Sequence, residues 1–502
     1  MLPAPAPSTT STSDPHSVRA ALRSPARLRT EVLAGLVVAL ALIPEAISFS
    51  VIAGVDPRVG LFASFTMAVT IAFVGGRRAM ISAATGAIAL VISPVMAQYG
   101  LDYLIATVLL AGVLQIVLSL AGVARLMRFI PRMVMVGFVN ALAILIFMAQ
   151  IPYLVGVPWL VYPLVGLGIA VMVMLPRATT AVPAPLVAIV LITGMALLAG
   201  WRLPDVGDEG QLPDSLPSFF VPDVPLTWET LQVIGPYALA MALVGLMESL
   251  MTAKLVDDIT ETGSDKTREG WGQGVANLVT GAFGGMGGCA MIGQTMVNVR
   301  VSGARTRIST FLAGVFLLVL VVALGDLVAS IPMAALVAVM IMVSVATFDW
   351  HSIAPGTLRR MPKSENLVML ATVVTTIATH NLAIGVVVGV LTAMVVFARR
   401  VAHFTQVVRV DSGDPGVARY RVVGELFFAS SNDLVHQFDY AGDPRTVVID
   451  MSDSHIWDAS TVAALDAIER RYAAHGTTVD IHGLNDASRA RHQQLAGHLG
   501  SM

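Results

Sequence analysis

The chain has 502 residues, of which 56% are hydrophobic and 13% charged, with a mean hydropathy of +0.77 and a formal net charge of −2. Soluble domains carry about 25% charged residues, so this composition describes an integral membrane protein and excludes collagens, disulfide scaffolds, disordered tails and soluble enzymes as descriptions of the whole. The single cysteine, Cys289, forbids an intramolecular disulfide and a multi-cysteine metal cluster.

Residues 1–30 are rich in Pro, Ser, Thr and Arg and contain no apolar stretch. They lack the core of a secretory signal and read as a short flexible cytoplasmic leader. Residues 31–400 read as the transmembrane domain. A helix crossing a bilayer needs about 20 apolar residues, and this region has room for about fourteen at about 26 residues per span and connection. Breaks at charged, Pro and Gly clusters place them near 33–53, 59–75, 83–99, 103–123, 133–150, 157–175, 183–200, 232–256, 269–284, 290–301, 308–325, 331–347, 365–380 and 383–398. With the N-terminus inside, 21 Lys and Arg of residues 1–400 fall on the cytoplasmic side, Arg77, Arg78, Arg125, Arg128 and Arg305 among them, against 2 outside, Arg58 and Arg202. Cytoplasmic loops collect such residues, which predicts an even number of spans and both termini in the cytoplasm.

The first span carries Glu45 about twelve residues into an apolar helix, after Pro44. A charge at that depth costs several kcal/mol unless paired or neutralised, so Glu45 reads as a protonatable carboxyl facing a cavity. The competing reading is a protonated carboxyl that hydrogen-bonds a neighbouring helix. The eighth span places Glu248 and Thr252 four residues apart on one helix face, two oxygen donors that suit a proton relay or Na⁺. Here the competing reading pairs Glu248 with Lys254 or another helix.

The third span opens on Gly75-Gly76-Arg77-Arg78 and a small, polar Ser82 to Gly86 stretch, and the short tenth opens on Gly284 to Cys289. Each is the third span of a seven-span half, and Gly-interrupted segments at matched positions point to an inverted-repeat transporter with its site between half-helix N-termini. Glycines that merely let helices pack closely are the alternative. Free N–H groups and the positive dipole end favour an anion, to be held at Thr85, Gly86 and Ala87 and at Met291, Ile292, Gly293 and Gln294. The sequence has no Walker A loop, HExxH or GxSxG motif, so neither ATP nor an enzymatic reaction is expected.

Past Arg400 the composition changes: residues 401–502 hold eight Arg, no Lys and thirteen Asp and Glu. Strand-like runs at Arg419 to Phe428 and Thr446 to Met451 alternate with helical patterns at Ser431 to Tyr440 and Ala459 to His475, the pattern of a soluble α/β domain.

Several motifs occur in order: Leu42-Ile43-Pro44-Glu45-Ala46-Ile47, Ala53 to Leu61, Ala84-Thr85-Gly86-Ala87, Gly272-Gln273-Gly274-Val275-Ala276-Asn277, Gly284 to Asn298 and Ser302-Gly303-Ala304-Arg305-Thr306. In these the chain resembles the SulP (sulfate permease) family of anion transporters and exchangers, the family of prestin and pendrin. Residues 401–502 are similar to a STAS domain, with Val447 to Met451 as core strand and Trp457 to Thr461 leading into a helix. The resemblance implies fourteen spans as two inverted seven-span repeats, a core bundle of spans 1 to 4 and 8 to 11 moving against a gate bundle, a homodimer, and a substrate between the third and tenth half-helices. It matches Glu248 and Thr252 to positions that bind Na⁺ in bicarbonate members, where the acid is Asp, and aligns Gln294 with an Arg of many animal members. Ser460 aligns near a phosphorylated Ser of related anti-sigma-factor antagonists, although Ala459 departs from their motif.

The expectation is a proton-coupled secondary anion transporter of a bacterial inner membrane, working by alternating access. Its cargo is a small inorganic anion or carboxylate of the sulfate, bicarbonate or C4-dicarboxylate class. Glu45 and Glu248 are the proton sites, with no cofactor and no nucleic-acid partner, and lipid and a cytoplasmic partner at the STAS domain are expected contacts. The alternatives are a Na⁺-coupled bicarbonate importer using Glu248 and Thr252, an uncoupled channel or exchanger, and a membrane sensor working through its STAS domain.

Overall fold

The computed structural model describes residues 17–123, 130–178, 183–402 and 405–498. The chain folds as two compact units that divide between Val390 and Leu391, within the Leu382–Ala402 helix. Of the expected leader, residues 1–16 lie outside the described residues, as do Arg125 and Arg128. Most of the rest of the leader is helical. Ser17 caps a Val18–Leu22 helix by accepting from the Ala20 N–H, and Pro25 at the first helical position starts the long Pro25–Ala53 helix.

Each of the fourteen expected segments falls on a helix or half-helix among the described residues. The first seven are Pro25–Ala53, Pro57–Val74, the two parts of Gly86–Leu120, Arg132–Met148, Val161–Ala178 and Ala184–Ala199. The second seven are Trp228–Thr260, Lys266–Ala282, Ile292–Met296 with its continuation, Arg307–Ala323, Met333–Thr347, Lys363–Thr379 and Leu382–Ala402. Among the described residues, six helices are by themselves long and apolar enough to cross a membrane. Spans three and four are joined end to end, broken only where Gly100 takes φ 83° and ψ −173°, a conformation that a side chain would oppose.

The two halves interlock. Pro25–Ala53 and Pro57–Val74 pack on Arg307–Ala323, and Gly86–Leu120 packs on Trp228–Thr260 and Lys266–Ala282. Arg132–Met148 packs instead on Lys363–Thr379 and Met333–Thr347, and the latter also on Val161–Ala178. Segments 1 to 4 and 8 to 11 thus form one bundle, and 5 to 7 with 12 and 13 a second. In the first, Gly112 and Gly274 let two helix backbones touch: a Cβ on either would lie 2.8 and 2.6 Å from the other's carbonyl oxygen. Without a hydrophobic drive between helices in lipid, such close backbone approach supplies the packing energy.

Helix ends inside this bundle are closed by charge. The C-terminal carbonyls of Pro57–Val74 accept from Arg268, which reaches Phe73 and Val74, and from Arg307, which reaches Ile71, Ala72 and Gly75. Cations at a helix C-terminus oppose its negative dipole end. Conversely, the buried Glu31 carboxylate accepts from the N–H groups of Arg305, Thr306 and Ser309 at 2.8, 3.0 and 3.2 Å, at the start of Arg307–Ala323.

The second unit holds a four-stranded sheet of order β3-β4-β5-β6, with strands Gln406–Val410, Val417–Leu426, Thr446–Ile456 and Thr478–His482. β3 and β4 are antiparallel, and the other two pairs parallel. The Ala459–Ala474 helix, capped by Asp458, packs on the sheet as expected, whereas the helix expected over Ser431 to Tyr440 lies earlier, at Phe428–Leu434. The buried Asp443 carboxylate accepts from Tyr420 Oη at 2.8 Å and Tyr472 Oη at 2.6 Å, with Arg409 at 3.2 Å. Burial together with Asp443 raises the pKa of both phenols, which stay protonated donors.

The glycine contact gives a first prediction. Gly274→Val should lower the stability of the detergent-solubilised protein by about 1–3 kcal/mol, read as a lower Tm. Gly166→Ala, whose Cβ would meet nothing within 4 Å, should leave it unchanged.

Candidate functional site: a cavity between two facing half-helices

Two strands of two residues each, β1 (Ser82–Ala83) and β2 (Cys289–Ala290), pair antiparallel with Ser82 opposite Ala290 and Ala83 opposite Cys289. Each leads directly into a helix, β1 into Gly86–Leu120 and β2 into Ile292–Met296, which continues as a five-residue π turn, Val297–Val301. Antiparallel strands send their helices off in opposite directions, so the two N-termini face one another. The approach requires glycine: a Cβ on Gly288 would lie 2.0 Å from the Ala83 carbonyl oxygen.

So short a ladder leaves flanking backbone groups to be satisfied, and inside a bilayer each must find a protein partner. Ile81 N–H donates to Thr295 Oγ1 at 3.0 Å, Ala290 N–H to Ser249 Oγ at 3.1 Å and Ala84 N–H to Ser64 Oγ at 3.2 Å. Met291 N–H donates to the Ile81 carbonyl at 2.9 Å.

Beside this crossing lies a cavity of about 720 Å³. One wall comes from the first bundle: Glu45, Phe49, Thr85 to Ala87, Glu248 and Met291 to Gln294. The opposite wall comes from the second: Phe138, Leu142 and Ile146 of Arg132–Met148, with Val343, Ala346 and Thr347 of Met333–Thr347. No Lys, Arg or His lines it among the described residues.

Nine of the ten sequence-predicted site residues therefore meet in one place: Glu45, Glu248, Thr85, Gly86, Ala87, Met291, Ile292, Gly293 and Gln294. Thr252 does not line the cavity. It is fully buried, and its hydroxyl donates to the Glu248 carbonyl one helical turn back at 2.8 Å. A threonine facing apolar neighbours satisfies its hydroxyl in this way.

Both carboxyls are tied to the segment that carries β2 and the second half-helix. Gln294 Nε2 donates to Glu45 Oε1 at 2.7 Å. Cys289 Sγ donates to Glu248 Oε2 at 2.9 Å and stands 3.1 Å from Thr85 Oγ1. Thr85 in turn caps its helix by accepting from Ile88 N–H, which leaves the Gly86 and Ala87 N–H groups without an intrahelical acceptor. Met291 gives the second half-helix no side-chain cap, so its first N–H groups are free as well. The cavity thus combines two inward dipole ends and two carboxyls.

Sequence reasoning missed Cys289, weighed there only for disulfides and metals. It also missed the polar buttress behind the crossing. Asn277 Nδ2 donates to Gln115 Oε1 at 2.9 Å and to the Gly288 carbonyl at 3.0 Å, while Gly288 N–H donates to Asn277 Oδ1 at 2.8 Å. Gln273 Nε2 donates to Ser82 Oγ at 2.7 Å and to Glu269 Oε1 at 2.8 Å, and Glu269 accepts from the Gly76 and Arg77 N–H groups. Gln273 and Asn277 stand four apart on one helix face, a legible signal. Glu248 is not paired with Lys254. Asp257 bridges Arg77 at 3.0 Å and Lys266 at 2.6 Å.

Residues 28–163 and 162–372 match the sequence model of the sulfate permease family, and residues 410–499 match that of the STAS domain. The chain is 50% identical over 469 residues to YbaR of Bacillus subtilis (strain 168), whose name proposes sulfate transport, over 93% of this chain and 97% of that protein. It is 25% identical over 503 residues to the bicarbonate transporter BicA of Picosynechococcus sp., over 88% of this chain and 86% of that protein. Among solved structures, the transmembrane domain of a cyanobacterium bicarbonate transporter BicA is similar with a TM-score of 0.64 at 25% identity, over 72% of this chain and 97% of that one. SLC26A9 shares the fold with a TM-score of 0.78 at 15% identity, over 93% of this chain and 86% of that one.

A Cβ added at Gly293 would meet nothing within 4 Å, although Gly293 lines the cavity. Gly293→Leu should therefore fill this part of the cavity without disturbing the fold. The expected result is an unchanged Tm with anion binding weakened about tenfold, or about 1.4 kcal/mol, read by titration of the purified protein.

Proposed function

Since the chain belongs to the sulfate permease family and carries a STAS domain, we propose that it is a proton-coupled secondary transporter of a small anion, sulfate or bicarbonate first among candidates and C4-dicarboxylates next. One observation carries this reading: two carboxyls, Glu45 and Glu248, line the same cavity as two inward-facing half-helix N-termini, with no basic side chain among the lining residues. The N–H groups at Gly86 and Ala87 and at the start of Ile292–Met296 hold the anion. Two ionised carboxylates beside a bound anion would repel it across a low-dielectric gap, so anion and proton bind together, and by linkage each raises the affinity for the other. The cavity lies between two bundles, which supports alternating access by movement of one against the other. The names of YbaR and BicA support the cargo classes.

Na⁺ coupling is the second reading, and Thr252 weighs against it, because it does not line the cavity. We further assign the protein to a bacterial inner membrane as a homodimer with both termini cytoplasmic, on the charge asymmetry of its loops and its family membership.

The test is uptake of labelled sulfate, bicarbonate, succinate and fumarate into proteoliposomes, with and without an inward proton gradient and without Na⁺. One anion should accumulate with the gradient, and its uptake should rise as external pH falls, since the carboxyls must load protons outside. Glu45→Gln and Glu248→Gln should abolish gradient-driven accumulation. Accumulation that requires Na⁺ would replace the proton by Na⁺, and single-channel steps in a planar bilayer would replace the carrier by a pore.

A further inference from the structure

Cys289 is the one polar side chain of β2, and it stands between a titratable group and a helix cap. Its Sγ is 2.9 Å from Glu248 Oε2 and 3.1 Å from Thr85 Oγ1, and all three groups are buried. Glu248 and Thr85 line the cavity; Cys289 does not. A thiol has one hydrogen and can also accept weakly, and a hydroxyl has one hydrogen and two lone pairs. The order of donors along Thr85, Cys289 and Glu248 is therefore set by whether Glu248 carries a proton.

With Glu248 ionised, its oxygen only accepts. The Cys289 S–H must point at Oε2, and the Thr85 O–H then points at Sγ, leaving no hydrogen of Thr85 for the cavity. When Glu248 takes up one proton, its own O–H donates to Sγ. The S–H turns to Thr85 Oγ1, which still accepts from Ile88 N–H, and the Thr85 O–H is released toward the cavity. No proton leaves sulfur or threonine. Each keeps its hydrogen and rotates it, so the only net change is the proton gained by the carboxyl.

We propose that Cys289 is a positioning residue that relays the protonation state of Glu248 to the Thr85 hydroxyl, turning that hydroxyl into an anion donor only when Glu248 is protonated. This rests on the proton-coupled reading and supplies the physical link it needs between the proton site and the anion seat. An alternating-access carrier must not bind its anion firmly without the proton, and a donor that appears on protonation enforces this.

The surroundings leave the relay to these three groups. Of the elements packed against the Trp228–Thr260 helix, β2 brings only Cys289, and Ile292–Met296 brings no titratable side chain. Gly86–Leu120 brings Asp102, which accepts from Asp223 N–H, and Tyr99 and Tyr103, which stack on each other. Lys266–Ala282 brings Glu269, held by Gln273 and the Gly76 and Arg77 N–H groups, Arg268, held by the Phe73 and Val74 carbonyls, and Lys266, held by Asp257. The remaining carboxyl lining the cavity is Glu45, bonded to Gln294.

The chain has one cysteine, so the S–H stretching band in its infrared spectrum belongs to Cys289 alone. In the full-length protein in lipid without any anion, that band should move to higher frequency as pH falls, because the thiol exchanges a carboxylate acceptor for a hydroxyl. In Glu248→Gln it should not move with pH. In proteoliposomes given labelled sulfate and labelled bicarbonate, Cys289→Ser, which keeps one hydrogen and two acceptor pairs, should retain the pH profile of KM. Cys289→Ala should lose one proton's linkage from that profile, about a tenfold change in KM per pH unit, with kcat at low pH less affected. A merely structural cysteine would leave the S–H band fixed and the slope of the profile intact in both variants.

A band that ignores pH while uptake stays proton-driven would overturn the relay and leave the proton-coupled transporter standing. A band that shifts with pH in wild type and not in Glu248→Gln, with uptake indifferent to the proton gradient, would support the local relay and overturn the proposed coupling. Should Cys289→Ala fail to fold, the wild-type and Glu248→Gln spectra still decide the question.

Discussion

The structure depends on a contact of four residues. Ser82–Ala83 and Cys289–Ala290 cross antiparallel in the middle of a membrane protein, where open strands cannot survive unless every backbone group finds a partner inside the protein. Because the pairing is antiparallel and each strand runs into a helix, two positive dipole ends are brought face to face. The surrounding polar side chains, Ser64, Ser249, Thr295, Gln273 and Asn277, exist to satisfy that crossing. The glycines before β2 exist to let it close. The N–H groups at the two helix starts, left without intrahelical acceptors, are the donors on which the proposed anion site rests.

Around that contact the two halves of the chain are interleaved. The first bundle takes its helices from both halves and locks them with backbone-to-backbone approach at Gly112 and Gly274, and with Arg268, Arg307 and Glu31 at helix ends. The second bundle touches the crossing across the cavity, through larger apolar side chains such as Phe138 and Ile146. Rigid, polar-satisfied packing on one side and an apolar wall on the other are the arrangement in which one body can shift against a fixed site. The charged residues are kept out of the lining, and the two that remain, Glu45 and Glu248, are each hydrogen-bonded to a residue of the segment that carries β2 and the second half-helix.

The legibility of this arrangement varied by residue. Glu45 and Glu248 stood out because a carboxyl deep in an apolar run is costly and so demands a reason, and the matched Gly-rich openings of the third and tenth spans marked the half-helices. Thr252 misled, because helical spacing puts it on the face of Glu248 while the preferred bond of a buried threonine is to its own helix. Cys289 was silent. A lone cysteine in a sequence has no partner to suggest a role, and its role here comes from two residues distant in the chain, Glu248 and Thr85. The partners of Glu269 and Gln273 were likewise hidden, since Gly76, Arg77 and Ser82 lie some two hundred positions away in the chain.

By itself the sequence determined the membrane class, the order of the helical segments, the division into a transmembrane part and an α/β domain, and nine of the residues that line the cavity. Those properties are written in hydropathy, in loop charge and in local backbone preference, all of which act over one span or less. Only the tertiary structure decided which helices form each bundle, that Gln294 reaches Glu45, and that Cys289 joins Glu248 to the cap of the other half-helix. Apart from Cys289 with Glu248, which lie 41 positions apart within the second half, these are contacts between residues from opposite halves of the chain. They depend on strand register and on the separation of helix axes, and no local pattern of residue types encodes either.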